Sequence, residues 1–123
     1  MRMMGYSEKF LRILRIELED LEGHLERLIE SHRQREHRHE VSEHVCQANV
    51  AVFRNEQRAL THFEQIIDAV EPDEHPDLDE LVAWLGKTFE EELRIAGLSP
   101  AASFFTERKM QRVEQYVRHG CAP

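Results

Sequence analysis

Between Gly23 and Pro72 the chain contains neither glycine nor proline. That run lacks the positive-φ and fixed-φ residues that tight turns ordinarily use, so helix is the expected state of most of it. Overlapping its start, Leu11, Leu14, Leu18, Leu21, Leu25 and Leu28 recur at alternating spacings of three and four. These leucines make one apolar seam along a helix, widened by Phe10 and Ile29. Arg12, Arg15, Glu19, Glu26 and Glu30 lie across from the seam and are expected to be wet. Ser7 is the expected N-cap of this first helix, which runs into the low thirties. Period-two β-branched runs are absent, so the expected fold class is all-α.

A second helical region, about 41–70, carries two apolar stripes. Val41, Val45, Ala48, Val52, Ala59 and Ile66 form one; Phe53, Leu60, Phe63 and Ile67 form the other. A helix apolar on two sides is expected to pack between neighbours. The segment 71–77, EPDEHPD, ends it, and Asp77 with Glu80 has the spacing of a capping box for a third helix. That helix buries Leu78, Val82, Leu85, Phe89, Leu93 and Ala96 and stops at Gly97. Ser99 and Pro100 then open a fourth, which presents Ala102, Phe105, Met110, Val113, Tyr116 and Val117 and ends at Gly120.

A length of 123 residues is the size of one domain, so residues 1–123 are read as a single helical domain. The formal net charge of −8 is uneven: residues 61–100 hold 11 acids against Lys87 and Arg94 alone. Phosphate recognition needs a dense basic face, and none is visible, so nucleic acid is not an expected partner. No apolar run approaches the roughly 20 residues that span a bilayer, and no membrane association is expected. Cys46 and Cys121 are too few for a disulfide framework, and the expected location is the cytoplasm. His62, among Ala59, Phe63 and Ile66, is read as a hydrogen-bonded core histidine, with Glu92 on the third helix available as a carboxylate.

Residues 30–47, ESHRQREHRHEVSEHVCQ, hold four histidines, four glutamates and a cysteine. If the segment is helical, His32, Glu36, His39, Glu43 and Cys46 fall within about 80° of one another at 100° per residue. All five are competent transition-metal ligands, and the ladder prolongs the leucine seam of the first helix. Glu36 and His39 make the Glu-x-x-His step that ferritin-like di-iron bundles carry on two helices; here it occurs once, and no family is assigned. The same segment also reads as a solvated helical face, or as a polar layer at a dimer seam that loosens as its histidines become charged. A single helix from 7 to 70 would be about 95 Å long and would need a second chain to cover it.

The expected architecture is an antiparallel helical bundle, with four helices if residues 32–40 bend and three if they do not, and oligomeric in either case. The first functional reading is a non-enzymatic interaction or adaptor protein that self-associates through amphipathic helices, with a protein partner also possible. The alternative is a bundle that binds a transition metal, iron or zinc, through the ladder from His32 to Cys46. No nucleophile elbow, phosphate loop or Cys–His pair in a recognisable context points to catalysis.

Overall fold

The computed structural model describes residues 5–120. Four α-helices follow in order: α1, Tyr6–His37; α2, Glu43–Ala69; α3, Leu78–Ala96; and α4, Ala101–His119, with a short 3-10 turn at Pro72–Glu74. The chain bends after His37, so one continuous helix over 7–70 is not formed.

The bend is made without glycine or proline. Glu40 N–H donates to Arg35 O at 2.8 Å and His39 N–H to Glu36 O at 2.9 Å, the two bonds of a Schellman C-terminus. His39 takes the left-handed position, φ 61°, where glycine is the usual occupant. The apolar contact that often closes this motif is replaced by an Arg35–Glu40 ion pair at 3.6 Å. Ser42 then caps α2, its Oγ accepting from Val45 N–H at 3.2 Å.

The other ends follow the sequence signals closely. Asp77 caps α3 by accepting from Asp79 N–H at 2.9 Å. Gly97 closes α3 in the left-handed region, with Leu98 N–H on Leu93 O, Leu93 in the core and Leu98 partly buried against it. Three expectations are corrected. Pro100, not Ser99, holds the N-cap position of α4, and Ser99 Oγ accepts from Ala101 N–H at 3.2 Å from one residue further out. Glu80 does not complete a capping box but sits 2.8 Å from His75 Nδ1. Ser7 is not a cap: it is buried inside α1, behind an N-cap at Gly5, and its hydroxyl donates to His75 O at 2.5 Å. That bond ties the start of α1 to the turn before α3.

All four helices share one core. The leucine seam supplies Leu11, Leu14, Leu18 and Leu25; α2 supplies Ala59, Leu60, Phe63 and Ile67. From α3 come Leu78, Leu81, Leu85, Phe89 and Leu93, and from α4 Ala102, Met110 and Val113. Phe63 and Phe89 meet at its centre, ring centroids 4.3 Å apart. Arg15 is not wet as expected, because it reaches across to the buried Glu64 at 2.8 Å and to Asp68 at 3.1 Å. His62 bonds Glu92 through Nδ1 at 2.8 Å, linking α2 to α3.

Candidate functional site

The helices are unequal in length, and that inequality defines the site. α1 has 32 residues and α2 has 27, against 19 each in α3 and α4. The turn between α3 and α4 meets α2 at Val52, where Val52, Asn55 and Glu56 line a small cleft with Ser99, Ala101 and Ala102. On the α1 side, Phe105 and Lys109 border a cleft with Leu21. Beyond that level only α1 and α2 continue, from about residue 26 to the bend and back to Val52. Within this overhang the buried side chains among the described residues are Ile29 and Cys46, and neither belongs to the shared core.

Polar bonds lace the base of the overhang. Arg54 donates to Glu26 at 2.9 Å and to Gln57 Oε1 at 2.8 Å, while Gln57 Nε2 donates to Glu26 at 2.9 Å. The Gln57 and Arg54 bonds hold the Glu26 carboxyl below its ordinary pKa. Glu26 is exposed, as its place across from the leucine seam suggests, but the spacing along α1 does not reveal this cross-hairpin triad. Its available signal was Arg54 and Gln57, three apart on one helical face.

The five ladder residues are distributed by the bend. His32 and Glu36 remain on α1, His39 lies exposed in the turn, Glu43 lies exposed in the first turn of α2, and Cys46 is buried one turn further on. The hairpin returns Cys46 to α1, where its Sγ donates to His32 O at 3.5 Å. Burial first, and then the adjacent Glu36 carboxylate, push the Cys46 thiol up. The His32 ring turns to Phe53, centroids 5.4 Å apart, and its Nδ1 is buried without a hydrogen-bond partner. Among the described residues no three His, Cys, Asp or Glu side chains are grouped so as to hold a metal ion.

Apolar positions on the overhang are left open. Val45, Val52, Ala59 and Ile66 stand at seven-residue intervals and so share one face of α2. The lower pair is covered, Ala59 being 1% exposed and Ile66 packed on the core. The upper pair is not: Val45 is 45% and Val52 54% exposed. The stripe expected to be packed along its whole length is packed only where α3 and α4 reach it.

A second concavity, about 380 Å³, lies between α3 and α4 over Val82, Gly86, Phe89 and Met110. Thr106 lines it and is buried with its hydroxyl unpartnered, while Glu90 and Glu107 stand at its rim. No helix among the described residues is long and apolar enough to cross a membrane. Comparison with protein-family models, curated proteins and solved structures gives no match.

Proposed function

We propose that this protein is a non-enzymatic interaction module that self-associates through its amphipathic helices. The observation that carries this reading is the α2 stripe, closed at Ala59 and Ile66 and open at Val45 and Val52. Fully burying an exposed valine contributes about 1.5–3 kcal/mol, and Val45 and Val52 are about half exposed, so covering each adds roughly half of that. The hairpin end supports the reading further, because two helices with only Ile29 and Cys46 buried between them gain little packing from each other alone. Sedimentation velocity across roughly 1–300 µM tests it. A weight-average mass that rises with concentration is expected, and a constant 14.6 kDa species would refute it.

Metal binding is the second reading, favoured by the orphan His32 Nδ1 and by Glu36 standing beside Cys46. Zinc or iron bound there would need the His32 ring to swing from Phe53 toward the thiol. Elemental analysis of untagged protein, with a His32→Ala/Cys46→Ser variant beside it, decides this. About one metal per chain, lost in the variant, would establish the site, and a metal content unchanged by the variant would remove it.

A further inference from the structure

We infer that the open face of the overhang is covered by the same face of a second copy, antiparallel, about a two-fold axis passing beside Ala48. The inference rests on the self-association proposed above and adds the surface, the partner's orientation and the register. An overhang of two antiparallel helices is half of a four-helix layer pair, and the missing half has the shape of another overhang. Stacking one on the other continues each protomer's own bundle past the point where α3 and α4 stop. An isologous contact of this kind needs a patch that complements itself.

Charge favours a copy of this chain at this end. Residues 26–52 hold five acids and four arginines, close to balance in a chain of net charge −8. Two copies can therefore meet here without bringing together their acidic 61–100 segments, with 11 acids against two basic residues. A contact through α3 would do the opposite, and like charges held together are destabilising.

Geometry sets the register. Face-to-face packing about a two-fold axis perpendicular to the helices lays α2 on the partner's α2 with the direction reversed. Ala48, near the middle of the open stripe, then lies near its own symmetry mate, and Val45 lies opposite Val52 of the partner subunit. Alanine at the axis permits close helix approach, and the valines flank it on both sides. From Glu26 to His37 the overhang is about 18 Å long, and two helices side by side make it about 20 Å wide. That footprint is below the roughly 800 Å² per partner of a standard interface, so the contact is a weak one and the dimer forms only at high protein concentration.

Charge substitutions test the register. Val45→Glu/Val52→Glu sets glutamate against glutamate across the axis, and Val45→Lys/Val52→Glu sets lysine against glutamate. Both positions are exposed, and circular dichroism is the check that each variant folds. The first variant is expected to weaken dimerisation at least about tenfold, and the second to recover most of that loss. Ile16→Glu and Tyr116→Glu, at exposed apolar residues elsewhere, leave it unchanged. In a Cys46→Ser/Cys121→Ser background, Ala48→Cys is expected to oxidise to a covalent dimer. If the parent protein associates but the valine variants do not affect it, the face is wrong while self-association stands. Equal weakening by both valine pairs, with no Ala48→Cys cross-link, overturns the antiparallel register. A monomer at every concentration overturns the inference together with the reading beneath it.

Discussion

Replacing Arg15 by methionine should destabilise the protein by an amount that depends on pH, and Glu64 is the reason. Glu64 lies on the buried side of α2, and burial, with Glu22 nearby, raises its carboxyl pKa. Arg15, 2.8 Å away, opposes that rise. Methionine keeps most of the packing of the arginine stem and removes only the charge. What remains is a buried carboxylate with no cation. Stranding one partner of a fully buried pair costs about 3–5 kcal/mol. Arg15 keeps about a third of its side-chain surface in water, so a cost of about 1–3 kcal/mol is expected at pH 7.5.

The sign follows from linkage. A carboxyl whose folded pKa lies above its unfolded value of about 4.3 destabilises the fold fully at high pH. The penalty is relieved as pH falls through the folded pKa, and it is absent below the unfolded one. Urea unfolding followed by circular dichroism at steps between pH 7.5 and pH 4 should therefore show the Arg15→Met penalty shrinking below about 0.5 kcal/mol. Adding Glu64→Gln should return at least half of the loss at pH 7.5, because an amide has no charge to strand. Asp68 and Glu19 also pair with Arg15, but both are exposed, and the double variant separates their small share. A penalty identical at pH 7.5 and pH 4, or one that Glu64→Gln does not reduce, would refute the electrostatic account.

Phe63→Ala should cost about 3–5 kcal/mol in urea unfolding, since Phe63 is fully buried against Phe89 and the site cannot collapse around the void. His39→Gly should raise the melting temperature by about 2–4 °C, because glycine removes the left-handed strain of about 1 kcal/mol and returns only part of it as unfolded-state entropy. A lower melting temperature would mean that the His39 side chain holds the bend together. Cys46 should react slowly with a disulfide reagent at pH 7.5 and at the rate of a free thiol in urea, since burial and Glu36 keep it protonated and covered. Fast labelling of the folded protein would show that the hairpin end is open much of the time.

Helices and core were readable because each rests on local chemistry. The leucine spacing predicts the α1 seam, and the leucines at 11, 14, 18 and 25 are buried. Asp77, Gly97 and Gly120 mark helix ends through caps and left-handed residues, and all three act there. The bend at 38–42 was harder to read, because His39 fills a role that glycine signals and an ion pair replaces the usual apolar contact. Ser42 was the one local clue, as the cap of a new helix. Which ladder residues meet depends on that bend, since Cys46 approaches His32 and Glu36 only through the hairpin register. Arg15 and Glu64 were illegible for a related reason: their pairing is set by how α1 crosses α2, not by spacing along either helix.

The order in which these helices leave the ribosome gives the Ser7–His75 and Lys109–Glu17 contacts another meaning. α1 is made first, yet Glu17 meets Lys109 at 3.0 Å only after 92 further residues. At roughly 5–20 residues per second, about 80 residues of synthesis from the end of α1 to the end of α4 take about 4–16 s. For about the last 50 of those residues the α1–α2 hairpin is complete but lacks α3 and α4, and the part of its leucine seam that they cover stays open along with its valine stripe. A ribosome-bound chaperone that recognises short apolar helices would find its target in this window. Slowing translation between α2 and α4 would lengthen the exposure without altering the final structure.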